Sequence, residues 1–290
     1  MSNPSYDLNK ELTGETEKQE NSTWNNILSI RSEKRFKSME IADNVFTDFF
    51  ELHGDRYFGD DRAIVGGLAY LSNLPVTVIC QYKGKDLADS KLRQYGMPLP
   101  EGYRKALRLM KQAEKFNRPI VCFIDTPGAF PGINAEERGQ AEAIARNLYE
   151  MAALTVPVIS VVISEGGSGG ALALGVANKV FMFEKAIYSV VSPEGCASIL
   201  WRDSKKASLA SDYLKLTASD ICEAGIIDRV ISEKGTFEQL CERLGSILHK
   251  EIVQLQKLPG KELKEDRRRK FREIGNIKNL QEDALKRFDA

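Results

Sequence analysis

From residue 64 onward, apolar residues fall into short runs separated by longer stretches with helical spacing. Residues 64–71 (IVGGLAYL) and 76–81 (VTVICQ) are strand-like, and Ser72, Asn73, Leu74 and Pro75 form a turn between them, so the pair predicts a β-hairpin. A helix is predicted over about 100–116, a buried-type strand over 120–124 and a loop over 125–132. A second helix follows over about 134–153, then a strand over 156–164. Past Lys179 the elements shorten to a strand through Phe183, another around Tyr188 and a helical stretch from Pro193. Strands alternating with helices predict an α/β core.

The flanks read differently. Apolar residues over 24–50 recur at helical spacing and end in Val45, Phe46, Phe49, Phe50 and Leu52, which predicts a helical lead-in over 23–60. Residues 1–22 are rich in Asn, Ser, Glu and Lys, with Pro4 and Gly14 against any helix, and are expected to be a mobile tail. From Phe237 the pattern is helical and highly charged, giving a C-terminal helical extension over 236–290 around a core at 61–235. No fixed-period repeat or long linker divides the chain, so one α/β domain with helical ends is expected.

Composition narrows the function. The 290 residues are 42% hydrophobic and 28% charged, as in an ordinary globular protein, and 41 basic residues balance 41 acidic ones. Nothing in that balance draws the molecule to nucleic acid or an anionic membrane, so any bound anion is held locally. The five cysteines (Cys80, Cys122, Cys196, Cys222 and Cys241) never stand as C-x-x-C. They predict free, mostly buried thiols in a reducing compartment, with no metal site. No secretory leader pattern and no apolar run of membrane-spanning length is present, which predicts a cytoplasmic protein.

The strongest chemical feature is I-S-E-G-G-S-G-G-A-L-A-L-G at 163–175, where a strand pattern gives way to a helical one through Gly166, Gly167, Ser168, Gly169 and Gly170. Near-bare backbone at a helix start leaves unpaired N–H groups and suits an anion. A P-loop is excluded because Ala171 and Leu172 stand where lysine and Ser/Thr are required, and a dinucleotide fingerprint fails because its third glycine falls on Leu172. The nucleophile elbow G-x-S-x-G fits at 166–170, but its base must be His53 or His249, the only histidines. His53 lies upstream of the serine, against the usual order, and His249 lies in the charged C-terminal helix pattern. Glycines serving only close packing are a further reading. A preorganised oxyanion hole is another, and backbone donors leave no signature except glycine.

Other residues are assigned plainer roles. Glu165 is expected to cap the glycine turn or, as the alternative, to face the site, 194–196 to start a helix with Cys196 packed inside, and the 267–270 cluster RRRK to form a solvated helix face interleaved with acidic residues.

D-T-P-G-A-F-P-G at 125–132, A-E-E-R-G-Q at 135–140, E-G-G-S-G-G-A-L-A at 165–173 and S-P-E-G-C-A-S-I-L-W at 192–201 stand in one order. With F-F-E-L-H-G-D-R (49–56), A-I-V-G-G (63–67) and G-M-P-L-P-E-G-Y-R-K-A-L-R-L-M (96–110), the chain closely resembles the alpha subunits of bacterial acetyl-CoA carboxylase carboxyltransferase over about 45–232. The resemblance implies a crotonase-like spiral of ββα units. It also implies transfer of a carboxyl group from carboxybiotin, on a biotin carboxyl carrier protein, to acetyl-CoA, yielding malonyl-CoA for fatty acid synthesis. The implied partners are a beta subunit that carries the zinc, in an α2β2 assembly, and an ATP-dependent biotin carboxylase in the larger complex. No cofactor is then covalently bound to this chain. The implied donors to the biotin oxyanion are the N–H groups of Gly169 and Gly170, in a pocket lined by Gly128, Ala129, Gly166 and Gly167.

The chain departs from the family pattern K-G-R-x-T-K, which here reads Lys83, Gly84, Lys85, Asp86, Leu87, Ala88; Phe130 replaces a usual tyrosine and Ser164 a usual glycine. Two alternatives stay open: a crotonase-fold hydrolase or peptidase using Ser168, and a scaffold subunit that has lost transfer.

Overall fold

The computed structural model describes residues 22–275. The expected tail at 1–22 lies outside them except for Ser22, which begins helix α1 (Ser22–Ile30). A second helix, α2 (Ser38–Val45), completes the N-terminal helical part.

The expected helix does not continue through Phe50. Residues Thr47–Glu51 form strand β1, paired antiparallel with β2 (Ile64–Leu71). Asp48 takes a positive φ of 54° and the β1/β2 register shifts between Thr47 and Phe50, so an irregular strand breaks the two-residue alternation. The resulting spacing of Phe46, Phe49 and Phe50 imitates a helix face.

β2 and β3 (Leu74–Gln81) form the predicted hairpin, in unbroken register from Ile64↔Gln81 to Leu71↔Leu74. A short helix α3 (Leu87–Leu92), N-capped by Asp86, leads into α4 (Pro100–Lys115), which carries the chain to β4 (Ile120–Thr126), parallel to β3. The single helix expected at 134–153 is two, α5 (Ile133–Glu137) and α6 (Gln140–Met151). Gly139, at φ 81°, turns the chain between them.

β5 (Val158–Gly167) runs parallel to β4 and ends in a single helical turn, α7 (Ser168–Leu172). Then come β6 (Lys179–Phe183), β7 (Ile187–Ser189), α8 (Pro193–Trp201), α9 (Ala207–Tyr213), α10 (Ala218–Glu223) and β8 (Arg229–Ile231). Two long helices close the described chain, α11 (Phe237–Leu255) and α12 (Gly260–Glu273).

All strands share one sheet in the order β1-β2-β3-β4-β5-β6-β8, with β7 paired to the far end of β5. β4 is buried along its whole length and β5 up to its last residue, as parallel strands beneath helices must be. α4 packs on β2, β3 and α6, and α2 packs on β1, β3, β4 and α11. A hairpin followed by helix-linked parallel strands is the ββα architecture expected from the resemblance. Cys80, Cys122, Cys196 and Cys241 are buried free thiols and Cys222 is partly buried, in line with the reading of the composition. Among the described residues no helix is long and apolar enough to cross a membrane.

Candidate functional site

Two features of β5 place the glycine junction. The first half of the strand pairs with β6 through Ile159–Val162, and the last three residues, Glu165, Gly166 and Gly167, pair instead with Ile187, Tyr188 and Ser189 of β7. The strand thus forks the sheet just before the glycines. Its register with β4 also slips, from Ile124↔Val162 to Thr126↔Gly166, leaving two more residues on β5 than on β4. Arg35 backs the slipped segment, donating to Ser164 Oγ at 3.0 Å and to Ile163 O at 2.5 Å. Its guanidinium is also paired with Glu233.

The 127–129 loop lies directly on the glycine turn. A methyl group on Gly167 would sit 2.2 Å from Pro127 O, and one on Gly170 would sit 2.5 Å from Ala129 N and 2.7 Å from Gly128 C. Neither position has room for a side chain, so the close approach of the loop itself requires glycine at both, whatever their N–H groups do. Gly166 likewise meets the Tyr188 ring at 2.6 Å. Gly169 differs: a methyl group there would meet nothing nearer than Ile144 Cγ2 at 3.7 Å. Gly128, at φ 151°, faces open space in a conformation reserved for glycine.

The G-M-P-L-P motif braces that loop. Thr126 Oγ1 lies 2.6 Å from Gly96 O and accepts from the Gly128 N–H at 3.1 Å. The Phe130 N–H donates to Pro98 O at 3.1 Å, and Gln140 Nε2 donates to Pro98 O and Phe130 O at 2.9 and 3.0 Å. Gln81 Nε2 donates to Gly170 O at 2.7 Å from beneath. The buried Tyr103 hydroxyl, beside Gly170, has no hydrogen-bond partner among the described residues. Motifs far apart in sequence therefore meet at one surface made mostly of peptide backbone.

At this junction Gly167 is the N-cap of α7 and carries no side-chain cap, so the first-turn N–H groups have no intrahelical acceptors. The helix has only five residues, too few for a sizeable macrodipole. An anion held here would depend on the N–H groups themselves and not on a helix dipole.

Of the two roles expected for Glu165, capping the turn is not the one the structure shows. It lies on β5 with its side chain in an ion-pair network: Lys83 Nζ is 2.6 Å from its Oε2 and Arg31 Nε 2.7 Å from its Oε1. Lys83 also reaches Asp125 Oδ1 at 2.9 Å, and Arg31 reaches Glu194 Oε1, in the first turn of α8, at 2.6 Å. Burial favours the neutral form of Glu165, but the Lys83 and Arg31 cations outweigh it and hold the carboxyl below its usual range. Burial likewise opposes the charge on Lys83, and Asp125 and Glu165 outweigh it, raising the ammonium above its usual value. A cleft of roughly 590 Å³ opens over this network, walled by Ile30, Arg31, Lys83, Tyr95, Pro127 and Glu165. Sequence patterning singled out Glu165 and 194–196 but missed their pairing with Arg31 and Lys83, because partners such as Arg31 and Glu165 stand 134 residues apart. The one local signal was Lys83 in the altered K-G-K-D segment.

Ser168 is exposed and takes φ 51°, as a residue on a tight strand-to-helix turn does. Neither histidine is bonded to it. His53 Nδ1 lies 3.1 Å from Asp60 Oδ2 and 3.5 Å from Glu51 Oε1, and His249 sits on α11. The elbow therefore lacks its base. α8 begins as expected, with Ser192 Oγ accepting from the Gly195 N–H at 3.0 Å and Cys196 buried against Ala197 and Ala210.

A family model described as acetyl co-enzyme A carboxylase carboxyltransferase-like matches residues 6–275. The chain belongs to that family. A Bacillus cytotoxicus protein named acetyl-coenzyme A carboxylase carboxyl transferase subunit alpha is 54% identical over 259 residues, which is 88% of this chain and 80% of that protein. A Clostridium tetani protein named for subunits beta/alpha together is 53% identical over 261 residues, 88% of this chain and 45% of its own length. Among solved structures, a transcarboxylase 12S chain superposes with a TM-score of 0.62 at 21% identity, covering 79% of this chain and 44% of the other. A Pseudomonas malonate decarboxylase hetero-tetramer chain gives the same TM-score, 0.62, at 17% identity, covering 80% and 91%. At such identities these two show the fold alone. Family membership makes the protein a transferase, a carboxyltransferase alpha subunit, and the serine-hydrolase reading finds no support beside it.

Proposed function

We propose that this chain pairs with a beta subunit and moves the carboxyl group of carboxybiotin, carried on a biotin carboxyl carrier protein, to the methyl carbon of acetyl-CoA. The N–CO₂ bond of carboxybiotin breaks and leaves negative charge on the ureido oxygen. The decarboxylated ureido group takes a methyl proton of acetyl-CoA, and the resulting carbanion attacks CO₂ to form malonyl-CoA. Every atom and charge is then accounted for without a side-chain base on this chain.

In this reading the N–H groups of Gly169 and Gly170 donate to the ureido oxyanion, and Gly128, Ala129, Gly166 and Gly167 line the biotin pocket. The supporting observation is the backbone-on-backbone contact between residues 127–129 and Gly167 and Gly170, beside a helix start whose first-turn N–H groups have no side-chain cap. Donors fixed in advance stabilise developing charge without reorganising, and one such donor is worth about 3 to 4 kcal/mol. The beta subunit stabilises the thioester enolate and holds the zinc. The assembly is α2β2, works in the cytoplasm and receives carboxybiotin made by an ATP-dependent biotin carboxylase. A relative named for both subunits in one chain supports the pairing.

The test is carboxyl transfer from malonyl-CoA to biocytin, a biotin–lysine conjugate, by this chain mixed with a beta subunit. Transfer that survives Ser168→Ala supports the proposal. Loss of transfer in that variant, with folding and assembly intact, transfers the role to the serine. A stable complex without transfer in the wild type points to a scaffold.

A further inference from the structure

Five charged side chains from five separate segments meet next to the glycine turn. Arg31 follows α1, Lys83 follows β3, Asp125 is the penultimate residue of β4, Glu165 precedes Gly166 on β5, and Glu194 lies in the first turn of α8. Lys83 is central among them. Asp125 stands two residues before Pro127, where the loop covering Gly167 begins, and Glu165 stands two residues before Gly167 itself. One ammonium therefore spans the roots of both segments whose contact makes the site.

We infer that Lys83 is a positioning residue for carboxyl transfer: held between Asp125 and Glu165, it sets the spacing between the 127–129 loop and the glycine turn. The inference rests on the carboxyltransferase reading above. The geometry around it is consistent in detail. The Glu165 N–H also reaches Asp125 Oδ1, at 3.3 Å, so the two roots are joined once by backbone and once through Lys83. The β4/β5 register slips between Ile124 and Thr126, where the regular ladder no longer fixes the spacing. Asp125 and Glu165 are both buried, and without a shared cation their like charges would push the two roots apart. Arg31 joins the same carboxylate to α8, so the clamp also orients the start of that helix.

The network does not itself supply an anion site. Lys83 and Arg31 are matched by Asp125, Glu165 and Glu194, leaving no surplus positive charge among the five. Its function is therefore spacing, with the backbone donors left to bind the anion.

The test uses the assembled carboxyltransferase carrying Lys83→Met or Lys83→Arg, with malonyl-CoA and biocytin as substrates. Misplacement of reacting groups by about 1 Å costs on the order of 100-fold in rate. Lys83→Met is expected to lower kcat by about that factor and to leave KM for malonyl-CoA within about 2-fold. The acid limb of the kcat–pH profile is expected to move to higher pH, because Glu165 loses a cation that opposes its burial. Lys83→Arg keeps the charge but changes the reach, and an intermediate kcat is expected. If Lys83→Met does not assemble, Lys83→Arg decides: a lowered kcat supports spacing, and a wild-type kcat shows that charge compensation suffices and overturns the inference. An unchanged kcat in assembled Lys83→Met overturns it as well. If the wild type shows no transfer, the functional reading fails, and amide hydrogen exchange of the chain alone still tests the clamp. Faster exchange confined to residues 126–130 and 166–170 in Lys83→Met supports it, and a uniform change or none overturns it.

Discussion

Gly169 and Gly170 are neighbours in sequence but face different constraints. Ala at 170 would place Cβ 2.5 Å from backbone nitrogen, so either the 127–129 loop or the turn must move. Gly170→Ala is expected to cost about 1 to 3 kcal/mol of stability and on the order of 100-fold in transfer rate. Gly169→Ala makes ordinary contacts and keeps its N–H, so a melting temperature near wild type and a rate loss below about 10-fold are expected. Thermal melts paired with the biocytin assay distinguish the two.

Glu165 supplies a pH signature at the same scale. Its folded-state pKa is depressed, so its contribution to stability is present above its unfolded value of about 4.3 and is lost as pH falls through the folded value. Glu165→Gln is expected to melt lower at pH 7 and to show a shallower fall in melting temperature as pH drops below about 4.3. An acid limb identical to wild type would show that Glu165 is not held this way. The glycines were legible in the sequence because the absence of side chains is itself a pattern. The ion network was not, because no local rule links Arg31 to Glu165 or Lys83 to Asp125.

Among the elements, those with clean periodicity were legible: the hairpin, α4, β4 and the strand-to-helix junction. Those with irregular backbone were not. β1 imitates a helix because Asp48 at positive φ disrupts its alternation, and α5 and α6 read as one helix because periodicity resumes across Gly139. The 267–270 cluster exposes another limit of pattern reading. Arg268 and Arg269 do form a solvated face beside Glu265 and Asp266, but Arg267 is fully buried and Lys270 pairs with Asp228. Arg267 donates to Met151 O at 2.7 Å, Leu154 O at 2.9 Å, Val156 O at 3.0 Å and Asn178 Oδ1 at 2.6 Å. It thereby caps the C-terminal end of α6 from within α12, and burial lowers its pKa to about 10. Arg267→Met strands these acceptors and is expected to cost about 3 kcal/mol. Limited proteolysis should then cut near residues 256–260, between α11 and α12, while the sheet stays protected.

For the whole molecule, the sheet order puts the glycine junction where β5 leaves β6 for β7, at the carboxyl end of parallel strands, the usual place for ligands in α/β proteins. Hydrophobic patterning anticipated the α/β class and the motifs anticipated the family. The fork was not anticipated, since β7 has three residues and pairs with a partner two strands earlier in the sequence. Parallel pairing of this kind draws its contacts from distant parts of the chain.

Arg35 carries that dependence furthest. Its guanidinium supports Ser164 and Ile163 just ahead of the glycine turn, yet its counter-charge, Glu233, is 198 residues further along. A chain still emerging from the ribosome holds every glycine of the turn long before Glu233 has been made. Until then Arg35 is a cation without its carboxylate, and the slipped segment of β5 lacks a settled support. The support of the slipped segment is therefore complete only once Glu233 is present in the chain.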